Sequence, residues 1–259
     1  MFSVIDTHTH LFDDAFQEDQ DAVYARAVEA GVGKLFLPNI DDTTIDDLLN
    51  YTSRHENCFP LIGFHPTSVD ENWESRLEVV HEALQSNACF KGIGEVGLDL
   101  YWDNTFVEEQ KIVLNRQIQW ALQSDYPIII HCRKAHQELM EVFAPYKTKR
   151  LRGIFHSFSG NEEEAAQLLD YTEFMLGVNG IVTFKKSTLP DVLKKIPIDR
   201  LVLETDSPYL APVPYRGKRN ESAYIVKVAE KLAEIYQISP QEVARITSDN
   251  ALKVFKNVG

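Results

Sequence analysis

Short apolar runs recur along the chain at residues 4–7, 34–38, 59–63, 92–96, 128–131, 153–156, 174–178 and 201–204. Helix-like stretches separate and follow them, at roughly 17–30, 43–56, 74–87, 106–124, 135–147, 161–171, 188–195, 221–236 and 240–256. Run cores such as PIIIH (127–131) and RLVLETD (200–206) are nearly all apolar, as in strands buried on both faces of a sheet. Eight such runs alternating with helices predict parallel βα units. The closed solution for eight units is an α/β (β/α)8 TIM barrel, and an open doubly wound sheet is the alternative. Two helix starts carry their own signals. Ser159-Gly160-Asn161 leads into Glu162-Glu163-Glu164, acidic residues suited to a first turn, and Ser239-Pro240 supplies an N-cap and a proline at the first helical position. No linker, low-complexity segment or repeat is evident, so one domain is expected over residues 1–259. The only long non-helical stretch is SPYLAPVPYRGKRN at 207–220, and loops of that length in a compact domain tend to be functional.

The ionisable residues then fall at matching places. The segment VIDTHTHLFDD at 4–14 spaces Asp6, His8 and His10 two apart. On a strand that spacing puts three ionisable groups on one face, a costly arrangement unless a partner such as a divalent metal satisfies them. The third run ends LIGFHP, giving His65; the fourth contains GIGEVGLD, giving Glu95 and Asp99. IIIHCR supplies His131 and Arg133, GIFHSFSG supplies His156, and VLETDSP supplies Glu204 and Asp206. A barrel keeps its active site at the C-terminal ends of its strands. One histidine at a strand end reads as an ordinary satisfied polar residue, but histidines and carboxylates at the ends of several strands together read as a metal site. His55 and His81 lie on helix-like stretches and receive no role; His136 belongs to the helix after the fifth strand. Cys132, next to His131, should face the other way as a small buried residue.

Bulk properties narrow the setting. The chain has 259 residues and is 44% hydrophobic, enough for a large core. Its net charge of −13 repels nucleic acid on average, so a polyanionic substrate needs a local basic patch or metal ions. The three cysteines, Cys58, Cys89 and Cys132, show no CxxC spacing. With their odd number and no charged-then-apolar leader, reduced thiols and a cytoplasmic location are expected. No apolar run approaches the roughly 18 residues of a membrane span, and no obligate protein partner is evident.

The motifs match a family. DTHTH (6–10), GEVGLD (94–99), HCRKA (131–135), HSFSG (156–160), ETDSPYL (204–210), PYRGKRNES (214–222) and NALKVF (250–255) occur in this order. The sequence thereby resembles the TatD-type metal-dependent deoxyribonucleases of the amidohydrolase superfamily, over nearly its whole length. The resemblance implies two divalent metal ions, one held by His8, His10, Glu95 and Asp206 and a second by Glu95, His131 and His156, with Glu95 bridging. A carboxylate can span ions ~3.5–4 Å apart. The imidazole-rich donor set favours zinc or manganese, with magnesium possible. Asp206 would orient the attacking water and take its proton. Arg133 offers a fork of donors to a phosphate, and His65 would contact the phosphate or assist the leaving alcohol, or simply be a hydrogen-bonded loop residue before Pro66. Glu204 would support the metal site, bind a further ion, or be a buried acid paired inside the barrel.

Arg216, Lys218 and Arg219 form a basic cluster in the loop after the eighth strand, at the barrel mouth, where they would bind phosphates. KTKRLR at 147–152 precedes the sixth strand, so it belongs at the opposite face and is expected to be a solvated turn. Tyr101, Trp102 and Tyr209 are available for base stacking. The leading reading is a metal-dependent DNase removing nucleotides from 3′ ends, with single-stranded DNA the expected substrate. A small-molecule phosphoesterase, lactonase or amidase is the alternative, because fold does not fix substrate. A binding protein with a vestigial site is a third reading, opposed by the complete ligand set.

Overall fold

The computed structural model describes residues 3–256 and 258. Eight parallel strands alternate with helices: β1 Val4–Asp6, β2 Val32–Pro38, β3 Cys58–Leu61, β4 Ile93–Asp99, β5 Ile128–Arg133, β6 Gly153–Phe155, β7 Phe174–Val178 and β8 Leu201–Leu203. The helices are α1 Gln20–Glu29, α2 Ile45–Ser53, α3 Trp73–Ser86, α4 Val107–Ser124, α5 His136–Phe143, α6 Glu162–Leu169, α7 Leu189–Leu193, α8 Ile225–Tyr236 and α9 Pro240–Val254. Pairing runs β1-β2-β3 in one sheet and β4-β5-β6-β7-β8 in another. Isolated parallel bridges, Ile62 to Ile93 and Thr9 to Ser207, close the ring at the two seams. The chain is therefore a (β/α)8 barrel, and the open-sheet alternative falls.

Both expected caps form. Asn161 and Glu164 make a reciprocal capping box at the start of α6, and the Ser239 side chain accepts from the Glu242 N–H ahead of α9. Each satisfies N–H groups that a helix start leaves without partners. The expected stretch at 17–30 begins only at Gln20, because residues Asp14–Phe16 form a separate 3-10 turn. β4 runs three residues past the expected end at Val96, which brings Asp99 onto the strand.

Inside the barrel, Ile5, Phe36, Leu61, Ile129, Ile154, Met175 and Val202 pack into one apolar cluster with Ala251, Val254, Phe255 and Val258. Phe255 stacks on Phe36 at 3.6 Å. The end of α9 thus plugs the barrel floor. Side chains on a strand repeat their face every two residues, so the residues two steps on from this floor share its inward face. Ile129 leads to His131, Ile154 to His156, Met175 to Gly177, and Val202 to Glu204. The apolar floor and the polar mouth are successive layers of one alternation.

Two expectations need correction. Asp6 does not share a face with His8 and His10. β1 ends at Asp6, the chain leaves the regular strand there, and counting by two no longer holds. The Asp6 carboxylate instead accepts from the Thr205 N–H (3.0 Å), the Thr205 hydroxyl (2.7 Å) and the His8 N–H (3.3 Å). The basic segment 147–152 is only partly a solvated turn. Lys147 through Arg150 are exposed, but Arg152 is buried. Its guanidinium donates to the Val254 carbonyl and to the Asp125 carboxylate and carbonyl, tying the ends of α4 and α9 together beneath the barrel.

Candidate metal centre and active-site mouth

Groups from five other strand ends meet around Glu95 on β4. Its Oε2 lies 3.1 Å from His8 Nε2 and 3.7 Å from His10 Nε2. The two imidazole Nε2 atoms are themselves 3.1 Å apart. Asp206 Oδ1 is 3.8 Å from each. The other oxygen, Glu95 Oε1, faces His131 Nδ1 at 2.8 Å, His65 Nε2 at 3.4 Å and His156 Nε2 at 3.9 Å. His156 Nε2 is also 3.7 Å from Asp206 Oδ1. One carboxylate therefore divides two groups of imidazoles between its two oxygens.

This arrangement fits a divalent cation. Ligand atoms about 2.0–2.1 Å from a tetrahedral ion stand about 3.3 Å from one another, close to the spacing around Glu95 Oε2. With Nδ1 protonated on both rings, the two Nε2 lone pairs would face each other and a carboxylate, a repulsion that a cation among them relieves. His8 Nδ1 and His10 Nδ1 are buried with no hydrogen-bond partner among the described residues, so no proton arrangement within the protein satisfies both rings. Groups able to hold an ion are His8, His10 and Glu95; His65, Glu95 and His131; and His8, His156 and Glu204. His65, expected at the phosphate, is thus nearer to Glu95 than His156 is.

The electrostatics follow from burial against pairing. Burial holds His8 well below its usual pKa and brings His10 down to about 4. Burial would do the same to His131, but the Asp99 and Glu95 carboxylates outweigh it and lift His131 to about 9. Glu204 and Asp206 likewise overcome burial to lift His156 to about 10. Burial would raise Glu95, yet the surrounding imidazoles hold it well below the usual carboxylate range. Asp206 is pushed up to about 7, chiefly by burial. Pairing thus favours the charged forms of His131 and His156, and burial the neutral forms of His8 and His10.

Two supporting carboxylates explain how the rings are aimed. Asp99 Oδ2 lies 3.0 Å from His131 Nε2, which turns Nδ1 toward Glu95. Asp99 was visible in the sequence at a strand end but received no role. Counting by two from Glu95 through Gly97 finds it on the same face. Gly97 is required between them: its φ is +151°, and a Cβ there would meet the His131 carbonyl oxygen at 1.9 Å. Glu204, fully buried, puts Oε2 3.0 Å from His156 Nδ1 and accepts the Ser157 N–H on Oε1 at 2.6 Å. Glu204 Oε2 and His156 Nδ1 make no hydrogen bond among the described residues, so Glu204 stands behind His156 and also within a group able to hold an ion.

The remaining site candidates ring the mouth. Arg133 is exposed, its guanidinium 3.7 Å above the Tyr101 ring centre and 5.3 Å from that of Trp102. The basic loop divides. Arg219 is committed to the Asp19 carboxylate (2.7 Å) and the Ala15 carbonyl (2.6 Å), and Arg216 lies over Phe184 and donates to the Ala211 carbonyl. Lys218 is exposed and makes no ion pair among the described residues. His55 packs on Tyr24 and Tyr51, His81 stacks on Trp120, and His136 pairs with Gln167, all away from the centre.

A parallel barrel with buried imidazoles and carboxylates at the C-terminal ends of its strands has the build of a metal-dependent hydrolase. Comparison with known proteins places the chain more narrowly. The family model described as TatD related DNase matches residues 5–256, and the chain belongs to that family of hydrolases. It is 35% identical over 254 residues to the uncharacterized metal-dependent hydrolase YabD of Bacillus subtilis, covering 98% of this chain and 99% of that one. It is 30% identical to the 3′-5′ ssDNA/RNA exonuclease TatD of Salmonella typhimurium, covering 98% and 100%. The crystal structure of YJJV, a TatD homologue from Escherichia coli K12, superposes with a TM-score of 0.91 at 29% identity, covering 98% of each chain. No helix among the described residues is long and apolar enough to cross a membrane.

Proposed function

We propose that the chain hydrolyses phosphodiester bonds of single-stranded nucleic acid, DNA in the first place, from the 3′ end. The observation that carries this reading is the division of Glu95 between two imidazole groups, which suits a pair of divalent cations. His8, His10, Glu95 and Asp206 would hold one ion. Glu95, His131 and His156 would hold the other, with His65 close enough to join or to contact the phosphate. Bound there, divalent ions supply a lowered pKa for attacking water and polarise a phosphoryl oxygen. The imidazole-rich set favours zinc or manganese over magnesium. Asp206, a carboxylate beside both groups of imidazoles, would orient the attacking water, take its proton and return it to the leaving alcohol. Asp99 and Glu204 keep His131 and His156 aimed inward. Arg133, Arg216 and Lys218 supply positive charge at the rim of an otherwise acidic protein, and Arg219 anchors their loop through Asp19. The name of the Salmonella relative supports the substrate class and polarity. The cysteines, all unpaired, fit a reducing cytoplasm.

The test begins with metal analysis of the purified protein. Single-stranded DNA and RNA, labelled separately at the 5′ and 3′ ends, are then incubated with zinc, manganese, cobalt and magnesium. Stepwise shortening of 5′-labelled strands is expected. A neutral lactone or amide turned over far faster than any oligonucleotide would replace this reading.

A further inference from the structure

Three exposed aromatic side chains stand at the mouth and are not used by the chemistry above. Trp102 is 73% exposed, Tyr209 57% and Tyr101 49%. The other two tryptophans, Trp73 and Trp120, are buried. Tyr101 and Trp102 follow β4, whereas Tyr209 follows β8, half the circumference away in an eight-stranded ring. The first pair is built rather than loose. Tyr101 and Trp102 meet edge to face, 4.8 Å between ring centres at 89°, and Arg133 backs both. Arg133 itself is fixed on β5, paired in register with Asp99. Tyr209 lies 6.5 Å, centre to centre, from the His10 ring, beside the metal centre. Its N–H donates to the Asp206 carbonyl.

We propose that these residues form a two-sided clamp for unpaired nucleobases. Tyr209 stacks the base of the nucleotide being removed, and Trp102, held upright by Tyr101 and Arg133, stacks a base further along the same strand. This rests on the phosphodiesterase reading and adds how the strand is gripped. The chemistry selects the occupant. Two separate flat rings with a guanidinium beside one of them suit separate flat bases on an anionic backbone, whereas a protein partner or lipid surface needs contiguous apolar area. Base–aromatic stacking tolerates any sequence because every base has a π-face. A duplex, whose bases are stacked on each other, offers nothing to either platform, so the clamp favours single strands.

Trp102 also reports on its own occupancy, as the exposed tryptophan. The metal-loaded protein is titrated with a phosphorothioate-linked oligothymidylate and with an abasic oligomer of the same length and linkage, and tryptophan fluorescence is followed. Saturable quenching by the base-bearing strand alone is expected. Trp102→Ala should lose roughly 5- to 150-fold in kcat/KM on single-stranded DNA, mostly through KM, and Trp102→Phe should regain most of it. Removing the base that Trp102 contacts from the substrate should cost wild type the same factor, after which Trp102→Ala costs nothing more. Equal quenching by both strands, or Trp102→Ala degrading DNA like wild type, would overturn the clamp while leaving the nuclease standing. A wild type that binds base-bearing strands but cleaves none under any metal would instead overturn the nuclease reading.

Discussion

Gly177→Ala should damage the metal centre although residue 177 touches no expected ligand. Gly177 faces the Glu204 carboxylate, and an added Cβ would sit 2.3 Å from Oε2, 2.6 Å from Cδ and 2.8 Å from Oε1. The acid is fully buried, so it cannot step aside into solvent. Overpacking of this kind costs about 1–3 kcal/mol. Pulling Glu204 off the Ser157 N–H forfeits a charge-assisted bond of about 1–3 kcal/mol. The sum, about 2–6 kcal/mol, is read from urea unfolding of the chelated protein. Because Glu204 also backs His156, metal affinity should fall about 10- to 100-fold, read by calorimetric titration. The argument has an internal control. In a Glu204→Ala background the methyl has room, so adding Gly177→Ala there should cost under about 1 kcal/mol, a strong departure from additivity. Additive losses, or a Gly177→Ala protein with wild-type stability and metal affinity, would refute the steric account.

Three further outcomes are expected. Glu95→Ala should abolish hydrolysis and lower bound metal, because Glu95 presents one carboxylate oxygen to each imidazole group; near wild-type turnover with metal present would exclude the bridging role. His131 at about 9 and His156 at about 10 lie above their ordinary 6.5, so their contribution to metal-free stability is full below pH 6.5 and is lost as pH rises through 9 to 10. Metal loading at pH 8 should accordingly expel about two protons, measurable in weakly buffered solution, and should remove that decline in stability. Replacing Arg216 and Lys218 with glutamine should flatten the salt dependence of DNA binding by up to about 0.7 per charge, whereas Arg219→Gln, whose charge already faces Asp19, should change the slope less and loosen the loop instead.

The barrel was legible because eight apolar runs alternate with helices and because ionisable residues follow six of them. What period-two counting could not carry was the break after Asp6, since a strand's end depends on neighbours distant in sequence: Asp6 turns to Thr205, 199 residues on. The role of Asp99 was hidden for the opposite reason: β4 continues past its apolar run as far as Asp99. Arg152 was misjudged because charge in a turn usually means solvent, and nothing local announces that Asp125 and the Val254 carbonyl await it. The inward cluster was easier to anticipate than the loop cations, because strand geometry fixes which way a side chain points and loop geometry does not.

The two seams of the ring have a mechanical consequence. β1, β2 and β3 form one shell and β4 through β8 the other, joined edge to edge by isolated bridges. His8, His10 and His65 belong to the smaller shell, whereas Glu95, His131, His156 and Asp206 belong to the larger. A cation held between them would act as a rivet through both plates. Stripping the metal should let the plates part before either one frays, so amides at Ile62, Gly94, Thr7 and His10, which span the seams, should become the first to exchange.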